Sequence, residues 1–258
     1  SLLGTTDNNY EGDIDHVRPS PEDIDYLLEA ANSFFGTSLG AEDLVGAYAG
    51  VRPLISSGDS RKSVDISRKA ELYETSSGLI TITGGKLTTW RRMAKLAVDR
   101  LVERDGRDAP CRTHEIPLGQ PEDPSQLPVL DGVPVESREG LAARYGHAAE
   151  EVLAIAAAQP ELAEPIVPGL PDLLAEATFS ARMEQTQTVG DVLLRRTRLG
   201  LIAARQLCAA GSEAPWRVAR ALAAELGWEP DRTEAAVRAF REEADSEGIA
   251  PAAAIAAR

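Results

Sequence analysis

"GLITITGGKLTTWRRMAKLAV", residues Gly78 to Val98, runs an apolar β-branched stretch straight into two glycines, a lysine and then a segment of helical periodicity. The stretch "GLITIT" predicts a strand, and Trp90, Met93, Ala97 and Leu101 share one face of the helix that follows. A strand, a Gly-rich turn and a helix N-terminus together form an anion site of free N–H groups and aligned dipoles. Two nucleotide-phosphate motifs are excluded by spacing. A P-loop needs glycine five residues before the Gly-Lys pair and Ser or Thr directly after the lysine, and Ile80 and Leu87 stand there. The dinucleotide fingerprint fails because Gly84-Gly85 is followed by Lys86, and no GxGxxG occurs in the sequence. This helix N-terminus is therefore expected to face an anion other than a cradled phosphate.

Working outward, "SRKAELYE" and "GLITIT" flank Thr75-Ser76-Ser77 and predict an antiparallel hairpin. Thr88 or Thr89 can cap the following helix, and Gly106 stops it. Upstream, Ser20-Pro21-Glu22 reads as an N-cap with Pro at the first helical position, and Ile24, Leu27, Leu28, Ala31 and Phe35 continue at helical spacing to Gly36. Val45, Ala47, Ala49 and Val51 then alternate, which predicts a strand that Pro53 ends, with Arg52 at its exit. From Asp108 to about Gly132 the chain is rich in Pro, Asp and Gln and reads as a linker. Beyond it, helical patterns cover Ser137–Tyr145, Ala148–Ala158, Leu173–Gln187, Val189–Ala210, Pro215–Leu226 and Thr233–Glu247. The expected fold class is α+β: an antiparallel-strand part over 1–107, a linker over 108–136 and an all-α bundle over 137–258, ending in a frayed "APAAAIAAR".

Composition bounds the function. With 258 residues, 43% hydrophobic and 26% charged, the chain is globular and large enough for two ordinary domains. No run of 18 or more apolar residues is present, and "SLLGTTDNNYEGD" lacks a signal-peptide layout, so neither membrane spanning nor export is expected. Cys111 and Cys208 fit a reducing compartment better than a disulfide framework. A net charge of −14 argues against nucleic acid as a partner. Residues 51–100 nevertheless hold ten Lys or Arg against five acids, a local surplus of +5 that leaves −19 for the rest. Such a basic island can attract a small anionic substrate. A solvated helix face accounts for Arg91, Arg92, Lys95 and Arg100. It accounts poorly for Arg52, Arg68 and Lys86, which lie beside apolar strand-like runs.

Five motifs in order carry a family resemblance: "GTTDNNYEGD" (Gly4–Asp13), "AGVRPL" (Ala49–Leu54), the isolated Ser67-Arg68, "GLITITGGKLTTWRRMA" and "DVLLRRTRL" (Asp191–Leu199). Together they resemble the C-terminal half of FAD-dependent, quinone-linked glycerol-3-phosphate dehydrogenase, from residue 2 to about residue 245. The resemblance implies an incomplete flavin and substrate domain followed by a helical C-terminal domain. It implies oxidation of glycerol 3-phosphate to dihydroxyacetone phosphate, with hydride passing from substrate C2 to flavin N5. It places Gly84, Gly85, Lys86, Leu87 and Thr88 at the pyrimidine edge of the isoalloxazine. A helix N-terminus there stabilises the negative charge that appears on flavin reduction, and the glycines let backbone approach a flat ring. Lys86 would lie near the flavin and the reacting carbon; capping a nearby carbonyl is its alternative role.

By the same resemblance Arg52 points into the substrate pocket and Arg68 helps hold the phosphate, for which a planar guanidinium fork is suited. As isolated residues, each would more often be a surface ion pair. The family's first half, with its pyrophosphate-binding glycines, its active-site histidine and a further phosphate-binding arginine, has no counterpart in this sequence. His16, His114 and His147 are expected on the surface or in loops, and Asp7 and Tyr10 are expected to be mainly structural. Arg195, Arg196 and Arg198 either pack against another domain or subunit or form a solvated face. The resemblance further implies quinone as electron acceptor, peripheral contact with the inner face of the cytoplasmic membrane, and a possible homodimer; no metal is expected. A non-catalytic docking module and an oxygen-using glycerol-3-phosphate oxidase are the alternatives.

Overall fold

In the computed structural model, residues 1–52 and 69–250 are described. They are mostly helical with one two-stranded antiparallel sheet, in keeping with the expected class. The chain falls into two compact units, one formed by residues 1–4, 13–50 and the chain from Gly119 onward, the other by Thr5–Gly12 with Val51–Leu118.

The helical unit begins with α1 (Pro21–Phe35). Its start and stop are local: the Asp23 N–H donates to Ser20 Oγ at 3.0 Å, and Gly36 takes a left-handed φ of 66° with its N–H on the Asn32 carbonyl. After the long connection come α3 (Val135–Tyr145), α4 (Ala149–Ala158) and α5 (Leu174–Met183). Every residue of α5 from Leu174 to Ser180 is buried, so this helix is enclosed on all sides, packed by α4 and by α8 (Ala214–Leu226). Helix α9 (Pro230–Ser246) lies against α8, and the core closes around Phe240, Leu141, Leu153, Leu207 and Leu222.

Three expectations are corrected. Residues 45–51 form no strand: their alternation leaves no buried side, and the Ala47 N–H donates instead to the Ile249 carbonyl at 2.9 Å. The backbone is so close to the helices there that a side chain at Gly46 would meet the Leu201 carbonyl. The helix expected over Leu173–Gln187 ends at Met183, because Gln185 turns left-handed (φ 57°) and the Thr186 N–H reaches back to the Ser180 carbonyl. The single helix expected over Val189–Ala210 is three pieces: a π-turn at Asp191–Arg196, α6 (Leu199–Ile202) and α7 (Ala204–Cys208). Thr197 makes the break, since both its N–H and its hydroxyl donate to the Val192 carbonyl and its backbone becomes extended.

Part of the expected linker belongs to the core. Leu127 is 2% exposed and Val133 is also buried, and the His147 N–H donates to the Gln120 carbonyl. Helix α1 and residues 37–50 likewise cluster with the helices rather than with the strand part to which sequence assigned them.

The second unit is small. Strands β1 (Ala70–Glu74) and β2 (Ile80–Gly84) pair in the register Ala70 with Gly84 and Glu74 with Ile80, as the hairpin reading requires. Helix α2 (Trp90–Arg104) packs on the hairpin, tied by Arg100 to Glu74 at 2.7 Å and by Arg104 to the Gly78 carbonyl at 2.9 Å. None of this unit's described residues is buried, and the α2 face expected to pack is only half covered, with Trp90 and Leu101 exposed.

Candidate functional site

The turn between β2 and α2 is built by two successive left-handed glycines, Gly84 (φ 70°) and Gly85 (φ 78°). That conformation is costly for any residue with a Cβ. At Gly85 a Cβ would also overlap the Met93 sulfur and press on Ala70, so the turn is held close against its own hairpin and helix. Lys86 is extended and exposed, and a short 3-10 turn, Leu87–Thr89, leads into α2. Thr89 does not cap α2 in the expected way: its hydroxyl donates to the Lys86 carbonyl at 2.8 Å and accepts the Lys86 N–H at 3.3 Å. Leu87, at 87% exposed, offers an apolar side chain to whatever the turn faces. The N–H groups of Lys86, Thr89 and Trp90 are all bonded within the turn, so what it presents outward is the apolar side chain of Leu87 beside the exposed Lys86.

Arg52 is half-exposed and pairs through Nη1 with Asp7 Oδ2 at 2.9 Å, which brings the "GTTD" and "GVRPL" motifs into contact across 45 residues. Arg68 lies outside the described residues. The three histidines are exposed; His16 approaches Glu247 at 3.6 Å and His114 approaches Glu115 at 3.5 Å. Both cysteines are free, and no metal-holding cluster occurs among the described residues. On α2, Lys95 pairs with Asp99, Arg91 stacks over Trp90 at 4.5 Å, and Arg100 bridges Glu74 and Glu103, so this face is more paired than freely solvated. Arg195 pairs with Glu243 and Arg196 with Glu184, while Arg198 is exposed.

Sequence reading missed one polar cluster. Glu176, 1% exposed on α5, accepts from Arg144 and, at 2.9 Å each, from the Tyr145 hydroxyl and the Leu173 N–H; Arg144 also holds Asp172 at 2.6 Å. Burial pushes the Glu176 carboxyl up, and Arg144 pulls it back. Burial and then the Glu176 charge push the Tyr145 phenol far above its ordinary range. The available signal was an acid inside the apolar run "DLLAEATF".

The chain thus carries a hairpin, a double-glycine turn and a helix in one unit and a helical bundle in the other, and comparison with known proteins assigns it a family. Residues 78–233 match the family described as the C-terminal domain of alpha-glycerophosphate oxidase. The chain belongs to that family. It is 40% identical over 207 residues to glycerol-3-phosphate dehydrogenase 1 of Mycobacterium tuberculosis, covering 78% of this chain and 39% of that protein. It is 35% identical over 216 residues to aerobic glycerol-3-phosphate dehydrogenase of Bacillus subtilis (76% and 38%), and 32% identical over 253 residues to glycerol-3-phosphate dehydrogenase of Synechocystis (93% and 45%). The chain thus spans about two fifths of the length of these curated relatives.

Proposed function

We propose that this chain is the C-terminal part of a glycerol-3-phosphate dehydrogenase that oxidises glycerol 3-phosphate to dihydroxyacetone phosphate. The observation that carries this reading is the family match across residues 78–233, which begins in the hairpin and includes the Gly84-Gly85 turn. FAD, when bound, supplies the hydride acceptor. The turn suits one end of that cofactor: two left-handed glycines leave the backbone without side chains beside the exposed Leu87 and Lys86. Gly84, Gly85, Lys86, Leu87 and Thr88 would line its pyrimidine edge, with Lys86 adding positive potential. The pyrophosphate end would rest on parts of the enzyme beyond the length shared with this chain.

In this reading Arg52 and Arg68 bind the substrate. Glycerol 3-phosphate is close to a dianion at neutral pH, and each guanidinium offers a fork of donors to phosphate or hydroxyl oxygens. The assignment of the hairpin unit as the site-bearing domain and of the helical unit as a separate domain belongs to the same proposal. So do transfer of electrons to quinone and attachment at the inner face of the cytoplasmic membrane. Oxygen as acceptor is the second reading, favoured by the oxidase for which the matching family is described.

Steady-state kinetics of the full-length enzyme test the proposal. Arg52→Ala is expected to lower kcat/KM for glycerol 3-phosphate by roughly a hundredfold, as losing a charge-assisted contact of about 3 kcal/mol would. Arg68→Ala is expected to raise KM more than it lowers kcat, through a phosphate contact equally strong in ground and transition states. Arg52→Ala kinetics within about threefold of wild type would remove Arg52 from the site.

A further inference from the structure

Arg52 does not stand alone in its unit. The segment Thr5–Gly12 leaves its flanking residues and clusters with Val51–Leu118, and Asp7 at its centre meets the Arg52 guanidinium at 2.9 Å. Among the described residues Asp7 is the one ionic partner of Arg52, and it engages a single terminal nitrogen, Nη1. The carboxylate and guanidinium are respectively 36% and 51% exposed, so the pair is open to a ligand rather than sealed in a core. A long side chain that is half in solvent samples many rotamers. A carboxylate at one Nη restrains the planar fork and leaves its other N–H donors available to a second acceptor.

We propose that Asp7 is a positioning residue: it orients Arg52 so that the free edge of the guanidinium meets the anionic substrate. This rests on the assignment of Arg52 as a substrate anchor. The arrangement has two opposed electrostatic consequences. Asp7 fixes the fork, which favours the reactive geometry. Its negative charge also opposes a dianion a few ångströms away, which weakens ground-state binding. Removing the charge while keeping the shape therefore separates the two effects, and the direction of each follows from the pair alone.

The test is kinetic and uses the full-length enzyme with glycerol 3-phosphate. Asp7→Asn is expected to lower kcat about tenfold while KM stays level or falls, because orientation is loosened and the repelling charge is gone. Asp7→Glu, which restores a carboxylate, is expected to recover part of kcat. A simple stabilising role would instead give a lowered Tm with kcat and KM near wild type in the folded fraction, and that result overturns the proposal. So does a raised KM at unchanged kcat. If Arg52→Ala is itself near wild type, the anchor assignment has failed. If Arg52→Ala is inactive and Asp7→Asn is unchanged, only the positioning role has failed.

Discussion

Glu176 is a carboxylate inside a hydrophobic core, and its cost is met by three donors on its two oxygens: Arg144, the Tyr145 hydroxyl and the Leu173 N–H. These contacts tie the end of α3 to the start of α5 and to Asp172 just before it. Burial works against the Arg144 charge, but Glu176 and Asp172 outweigh it and hold the guanidinium protonated. Tyr145 is the member whose protonation bears on stability at alkaline pH. Its folded value is raised, first by burial and then by the neighbouring Glu176 charge. Above about pH 10 an unfolded tyrosine loses its proton while the folded one keeps it, so its contribution is complete below that pH and is lost as pH rises further. Urea unfolding between pH 8 and pH 11 should therefore show a falling stability whose slope is reduced in Tyr145→Phe. Parallel slopes in the two proteins would assign the alkaline loss to other groups.

At the scale of elements, the β2–α2 turn depends on two positions where only glycine is relaxed. Gly85→Ala must hold φ near 78° against steric cost and displace the Met93 side chain. Met is flexible enough to move, so the backbone term dominates, on the order of 1–3 kcal/mol. Hydrogen exchange should quicken at the paired amides of β1 and β2 and stay unchanged in α5 and α8, which lie in the other compact unit. Equal exchange in both proteins would mean that the turn tolerates a side chain. The π-turn at Asp191–Arg196 is the converse case. There the turn is specified by side-chain bonds: the Asp191 carboxylate accepts the Gln187 and Thr188 N–H groups, and Thr197 recaptures the Val192 carbonyl.

For the molecule as a whole, the two units differ in what they bury. The helical unit closes on a continuous core from Leu127 to Ile249. The hairpin and α2 bury nothing among their described residues, and Leu79, Leu87, Trp90 and Val98 face outward. An uncovered apolar surface of this kind suits a partner surface, which in our reading the rest of the enzyme supplies. The purified chain should be colourless and show no dehydrogenase activity with added FAD. Limited proteolysis followed by mass spectrometry should cut first within 51–118 and leave the helical unit intact. A yellow preparation with stoichiometric FAD and turnover would show that this chain holds the cofactor unaided.

Signals that act within a few residues were legible in the sequence. Ser20 before Pro21, Gly36 in the left-handed region, the hairpin around Thr75-Ser76-Ser77 and the Gly84-Gly85 turn all rest on backbone sterics and bonds spanning three to five positions. The order of motifs was enough to indicate the family. Long-range partners decided the rest. Whether the alternation at 45–51 became a strand depended on a neighbouring strand, and the Ile249 carbonyl took the Ala47 N–H instead. Whether 189–210 stayed one helix depended on where Thr197 could place its donors. The Asp7–Arg52 pair and the Glu176 cluster join residues 45 and about 30 positions apart. Periodicity carries no record of such meetings, because it reports which face of a segment is apolar and not which distant charge that face will find.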